Sequence, residues 1–260
     1  MYGEILENGT FTIDTTVGYS DVDYTLKLKP QRVLELCQDI AVLHSDKAGY
    51  TLQFFRDNHS GWGLTEWHVV FNSRPFEGEK IDVTTWSNRY KRVQANRWFK
   101  GVDKNGNELF KGSSRWFLLD TQKRKPKRFD ADFFSAYVPS SIPEAIENED
   151  FKQPSLDLYE KIQTDEHVVT RRDIDANNHT NNVAYITWAL ETLPTDIYLN
   201  STIKDLKAEY KREALLDDHL TMQLFIRKDD DDLTEYSTVF TNTEGQYLCR
   251  VTTKWDQQDK

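Results

Sequence analysis

The stretch Asp173-Ile174-Asp175-Ala176-Asn177-Asn178-His179-Thr180-Asn181-Asn182-Val183-Ala184-Tyr185 decides the reading of this chain. Most of it is Asp, Asn, His and Thr, a polar density that folding alone gives little reason for. Val183, Ile186, Ala189, Leu190 and Leu193 follow at helical spacing, and Pro194 ends the pattern. The polar run therefore sits at a predicted helix N-terminus, after an extended segment. Unpaired backbone N–H groups and the helix dipole favour developing negative charge there. A carboxylate, an amide and an imidazole gathered at such a place suit the activation of water beside an oxyanion. A lone Asp or Asn would mean only a helix cap; it is the whole cluster that points to chemistry. Asp173 itself reads as structural, capping the turn or pairing with an Arg.

Working outward, the chain tells one story twice. Tyr19-Ser20-Asp21-Val22-Asp23 resembles Arg171-Arg172-Asp173-Ile174-Asp175, and Asp23 to Asp175 is a step of 152 residues. Pro30 and Asn182, each seven residues further on, stand at the starts of two predicted helices. The first helix carries Val33, Leu34, Cys37, Ile40, Ala41 and His44 on one face and stops at Gly49. Past the helices the step becomes 139: Gly106 aligns with Gly245, and Ser113-Ser114-Arg115-Trp116 with Thr252-Thr253-Lys254-Trp255. The first copy thus holds about 13 extra residues, placed between Gly49 and Gly63.

Each copy reads as a short extended lead-in, one long helix and four strands. The strands fall near 63–72, 80–89, 95–103 and 108–120, then near 203–212, 220–228, 235–242 and 246–256. Hairpin turns make the sheets mainly antiparallel, an α+β class. The domains predicted are 1–128 and 165–260, with 129–164 as a connector holding a short helix near Glu144–Glu149.

A net charge of −10 argues against nucleic acid as a partner. Cys37 and Cys249 are too far apart in sequence to make a metal motif, and no metal or other cofactor is called for. Asp229-Asp230-Asp231-Asp232 lacks the spacing and glycine of a calcium loop and reads as a hairpin tip. The acidic N-terminus and the lack of a long apolar run predict no membrane insertion and a cytoplasmic location. His44 and Cys37 read as core packing.

The motif and the duplication together resemble the acyl-acyl carrier protein thioesterases, over essentially the whole chain. Trp62-Gly63-Leu64-Thr65, Asp82-Val83-Thr84-Thr85-Trp86 and Glu209-Tyr210-Lys211-Arg212-Glu213 extend the likeness. The resemblance implies a tandem double hotdog, two sheets each wrapped around a helix, and without a transit peptide it points to the bacterial form. It implies hydrolysis of a fatty acyl thioester on acyl carrier protein, whose phosphopantetheine carries the acyl chain. Asp175, Asn177 and His179 match the family's catalytic trio, and Glu213 matches the acidic residue on the facing strand. Ala214 stands where plant enzymes often have Cys, which excludes a thiol nucleophile at that position. Asp175 or Glu213 can serve as general base, by direct or covalent attack, with backbone N–H groups of Asn181, Asn182 and Val183 at the oxyanion.

The first copy lacks the Asn and His, so it is expected to be catalytically silent and to shape the acyl pocket. Arg171, Arg172, Lys207, Lys211 and Arg212 are candidates for docking the acidic carrier, as is the run Lys123–Arg128. The duplication already supplies a hotdog pair, so a monomer or a homodimer is compatible with it. Two rival readings fit the same sequence: a hotdog acyl-CoA hydrolase and a non-catalytic acyl-binding double hotdog.

Overall fold

The computed structural model describes residues 3–91, 93–128, 131–137, 140–146, 151–228 and 233–257. It divides into two compact units, Met1–Thr65 with Val69–Asn148, and Glu66–His68 with Glu149–Lys260.

In the first unit β1 (Phe11–Thr16) leads through a 3-10 turn to α1 (Pro30–Lys47). Then come α2 (Leu52–Asp57), β2 (Ser60–Phe71), β3 (Lys80–Lys91), β4 (Gln94–Asp103), β5 (Glu108–Asp120), β6 (Lys125–Pro126) and α3 (Ala131–Ala136). The main strands lie in the order β1-β3-β4-β5-β2. The β1/β3, β3/β4 and β4/β5 pairs are antiparallel. Pro30 opens α1 at a position where its missing N–H costs nothing. Past the other end Gly49 takes a φ of +90°, a backbone shape that a side chain would oppose. Val33, Leu34, Cys37 and Ile40 are buried along one face, and the helix packs on β1 and β3. Burying each such side chain contributes about 1.5–3 kcal/mol.

The second unit repeats the plan. β7 (Glu160–Val168) leads through a 3-10 turn to α4 (Asn182–Glu191) and α5 (Thr195–Asn200). β8 (Ser201–Tyr210), β9 (His219–Lys228), β10 (Leu233–Asn242) and β11 (Tyr247–Gln257) follow. The order is β7-β9-β10-β11-β8, the first unit's order with each strand replaced by its counterpart. Tyr185 and Trp188 of α4 meet Phe240 of β10, and Trp188 also meets His167 of β7.

The repeat extends to single hydrogen bonds. Val17 N–H donates to Glu79 O, and Val169 N–H to Asp218 O, both 152 and 139 residues on. Gly106 and Gly245 hold φ values of +83° and +74° in equivalent hairpin turns. The fold is a tandem hotdog of α+β class, with antiparallel sheets.

The structure departs from the sequence expectations in three places. β7 begins at Glu160, inside the stretch drawn as connector to residue 164. It is an edge strand with mostly exposed side chains, so it lacks the alternating burial pattern that marks a strand. The helix of the connecting stretch is α3, anchored by the buried Phe133, while Glu144–Ile146 is not helical. Residues 147–149 of that expected helix, and the Asp229–Asp232 tip, lie outside the described residues. Last, α4 spans ten residues against eighteen for α1.

Candidate active site

The polar run folds as a tight loop. Ile174 and Thr180 form an isolated antiparallel bridge, and the chain turns between them through Asn178, whose φ is +66°. Asn tolerates that left-handed conformation better than most side chains. Asp173 caps the preceding turn, its Oδ2 accepting from Thr170 N–H at 2.8 Å and from Thr170 Oγ1 at 2.5 Å. Its role is capping, and among the described residues no Arg pairs with it. Asp175 Oδ1 accepts from the backbone N–H groups of Asn177 (2.8 Å) and His179 (3.3 Å). Asn177 Nδ2 reaches the other carboxylate oxygen at 3.4 Å. One carboxylate thus holds the turn that carries both the amide and the imidazole.

Glu213 comes from the other side. It lies three residues past the end of β8, in irregular backbone rather than on a strand, and its Oε2 is 3.5 Å from His179 Nε2. Both side chains are nearly half exposed, at 45% and 47%, so water reaches the pair. The structure therefore brings Asp175, Asn177, His179 and Glu213 together at the start of α4.

The three expected oxyanion donors are not equivalent. Asn181 N–H donates to Asp173 O at 2.7 Å, and Val183 N–H to the side chain of Asn181 at 2.9 Å. Both are engaged, which corrects the expectation for these two. The second follows from Asn181 being the N-cap, whose side chain normally takes that N–H. Among the described residues no hydrogen bond engages Asn182 N–H. Asn182 O accepts from Tyr210 Oη at 2.8 Å, which fixes the first turn of the helix.

Of the basic residues, Arg171 and Arg172 are exposed on the 3-10 turn beside the site. Lys211 is drawn to Glu209 at 2.5 Å, and Arg212 donates to Tyr247 O at 3.2 Å. Lys207 sits within β8, in register with Thr252 of β11. Lys123, Arg124, Lys125, Lys127 and Arg128 are all exposed.

The first unit holds the same loop with different residues around it. Val22 and Leu28 bridge as Ile174 and Thr180 do, and Leu26 takes a φ of +60° where Asn178 has +66°. Asp23 Oδ1 accepts from Thr25 N–H at 2.8 Å, matching Asp175 and Asn177. Its other oxygen meets Arg74 Nη1 at 2.6 Å, in a pair that is almost fully buried. Burial works against the charge on Asp23. The hydrogen bonds from Thr25 and Arg74 outweigh it and hold the carboxyl below its ordinary range. Arg74 is the counterpart of Glu213, 139 residues earlier. Sequence reasoning missed this pairing, although applying the 139 step to Glu213 finds it. His44 is a core residue as expected: fully buried, stacked on Phe11, with Nδ1 at 2.8 Å from Arg97 Nη1. No helix among the described residues is long and apolar enough to cross a membrane.

The chain matches two family models in succession. "Acyl-ACP thioesterase N-terminal domain" covers residues 9–137, and "Acyl-ACP thioesterase C-terminal domain" covers residues 157–257. A chloroplastic acyl-[acyl-carrier-protein] hydrolase of Cuphea viscosissima is 24% identical over 218 residues, which is 82% of this chain and 52% of the relative. The chain spans about half the length of the curated relatives it matches. An acyl-ACP thioesterase from Bacteroides thetaiotaomicron superposes with a TM-score of 0.82 at 22% identity, covering 96% of this chain and 99% of that one. The 12:0-ACP thioesterase from Umbellularia californica gives a TM-score of 0.82 at 20% identity, over 97% and 99% of the two chains. These two likenesses carry the fold, and the two family models carry more: the chain belongs to the acyl-ACP thioesterase family.

Proposed function

We propose that this protein hydrolyses the thioester of a fatty acyl chain carried on acyl carrier protein, releasing free fatty acid and the carrier's thiol. The observation that supports this most is the convergence of Asp175, Asn177, His179 and Glu213 at the start of α4, in a member of this family.

In this reading Glu213 is the general base. Asp175 spends one oxygen on the backbone of its own turn and the other on the Asn177 amide, whereas Glu213 meets His179 Nε2 and faces water. Glu213 takes a proton as water attacks the carbonyl carbon, and His179 orients it. Such assistance typically contributes ~10²–10⁴-fold. The carbonyl oxygen gains negative charge and is met by Asn182 N–H at the positive end of α4. The intermediate collapses with cleavage of the C–S bond, and the proton on Glu213 passes to the departing thiolate. Asn177 sits beside the reacting groups and positions substrate or water. Ala214 offers no nucleophile.

In this reading the first unit is catalytically silent, and the second unit, with β7 from Glu160 onward, carries the chemistry. Arg171 and Arg172, exposed beside the site, are the best placed to meet an acidic carrier, with the Lys123–Arg128 turn as a second contact. Their attraction is largely screened beyond about 8 Å at physiological ionic strength, so salt should raise KM on the carrier substrate.

The test is release of free thiol from matched acyl-carrier and acyl-CoA thioesters by the purified protein. Faster turnover of the carrier substrate, lost in Glu213→Gln, is the expected result. Equal or better turnover of acyl-CoA overturns the carrier assignment, and bound lipid without thiol release overturns hydrolysis.

A further inference from the structure

Glu213 is half exposed and lies outside any strand, so its own packing does not fix its carboxylate against His179. Its backbone is fixed instead, one residue on. Ala214 is fully buried, and both ends of its main chain are gripped. Its N–H donates to Tyr185 Oη at 3.0 Å. Its C=O accepts from Thr180 Oγ1 at 2.7 Å and from Thr180 N–H at 3.2 Å. Two successive peptide planes beside Glu213 are thereby tied to the catalytic loop and to the first turn of α4.

Tyr185 is itself rigid. Its ring makes edge contacts with Trp188, Tyr210 and Phe240 at centroid distances of 5.1, 5.9 and 5.3 Å. Burial pushes its phenol up, so it stays neutral through the working pH range and presents an oxygen lone pair to the Ala214 N–H.

The internal repeat supplies the control. The counterpart of Thr180 is Leu28, that of Tyr185 is Val33, and that of Ala214 is Pro75. The backbone bond survives, with Leu28 N–H donating to Pro75 O at 2.8 Å. The two side-chain hydroxyls are gone, and so is the N–H that one of them would hold, because proline has none. Tyr210, whose hydroxyl holds Asn182 O, has Phe71 as its counterpart. The copy that carries Asn177, His179 and Glu213 carries these hydroxyls; the copy without the first set lacks the second. Mere folding of the hotdog does not need them, since the first unit folds without them.

We propose that Tyr185 and Thr180 are positioning residues for turnover, acting through the Ala214 peptide to hold Glu213 against His179. The inference rests on Glu213 being the base. The His179–Glu213 contact is already long at 3.5 Å, so a small drift of the loop would break it. Misplacement of a reacting group by about 1 Å can cost ~10²-fold in rate.

The experiment uses the full chain with one acyl-carrier thioester and follows thiol release, with melting curves to confirm folding. Tyr185→Phe, which keeps the ring, and Thr180→Val, which keeps the shape, should each lower kcat by ~10–100-fold with KM within about twofold. Thr180→Ser should restore most of the loss. In a Glu213→Gln background, Tyr185→Phe should add less than about twofold, because the group it positions is no longer a base. Wild-type kcat in both Tyr185→Phe and Thr180→Val, or a full additive loss in the double variant, overturns the proposal. If Tyr185→Phe does not fold, the Thr180→Val and Thr180→Ser pair decides alone. A dead Glu213→Gln with fully active Tyr185→Phe and Thr180→Val sinks only the positioning role; a fully active Glu213→Gln sinks the reading of Glu213 as base as well.

Discussion

The loop at Asp23 and the loop at Asp175 are the same piece of architecture put to opposite ends. Each has an Asp whose Oδ1 holds the N–H two residues on, a left-handed residue, and a bridge that closes the turn. The facing residue differs in charge. In the first unit Arg74 closes on Asp23 at 2.6 Å and the site becomes a buried ion pair. In the second unit Glu213 approaches His179 and leaves the site open to water. The Asp and its turn therefore belong to the fold, because both copies keep them. What differs between the two loops is the imidazole, the amide, and the sign of the residue opposite.

The contrast breaks most decisively at Glu213. Glu213→Gln should lower kcat/KM by ~10²–10⁴-fold, whereas Arg74→Gln should leave it within about twofold. Steady-state thiol release on the two variants makes the comparison; comparable losses in both would mean that the halves share the work. The complementary test is stability. Arg74→Met strands a buried carboxylate, which typically costs ~3–5 kcal/mol, and denaturant unfolding should show it without a change in kcat. An unchanged unfolding midpoint would show that the first loop does not depend on its cation.

A smaller effect is expected at the shared Asp. Asp175→Asn keeps an oxygen for the N–H groups of Asn177 and His179, so it should lose only about tenfold in kcat. A loss matching that of Glu213→Gln would move the base to Asp175. An acid effect on stability arises at His44 in the first unit. Burial, with Arg97 adding to it, lowers the His44 pKa from 6.5 to about 2. The unfolded chain takes up that proton and the folded chain does not, so stability falls as pH drops below about 6.5, by up to ~1.4 kcal/mol per pH unit. Asp23, held below its ordinary pKa, adds its own loss as pH falls through the usual carboxylate range and below it. His44→Asn, which retains an acceptor for Arg97, should flatten the limb between pH 6 and 4. An unchanged slope would mean that His44 is not its source.

Much of this architecture is legible in the chain. The strand pattern, the stops at Gly49 and Pro194, and the repeat follow from periodicity and turn chemistry that solvent exposure enforces. The edge strand β7 escaped because a strand exposed on both faces has no alternation to read. Pro194 stops one helix and is also the N-cap of α5, since proline ends one helix and tolerates the start of another. At the site, the residue types were readable but their commitments were not. Whether an N–H at the start of α4 is free depends on where the side chain of Asn181 and the carbonyl of Asp173 turn. The roles of Thr180 and Tyr185 hang on a main-chain group 29 residues away from Tyr185, and only the fold brings that group near.

The short helix α2 in the insertion of the first copy has a consequence for motion. Phe55 is its only buried side chain, resting in a cluster with Leu118, Phe133 and Tyr137, and Thr51 caps its start. With so little area to expose, α2 can detach at a free energy far below that of unfolding the sheet. Amide exchange should therefore be fast along Leu52–Asp57 and slow along the buried face of α1. That pattern would mark α2 as the first part of this unit to open, ahead of the sheet and α1.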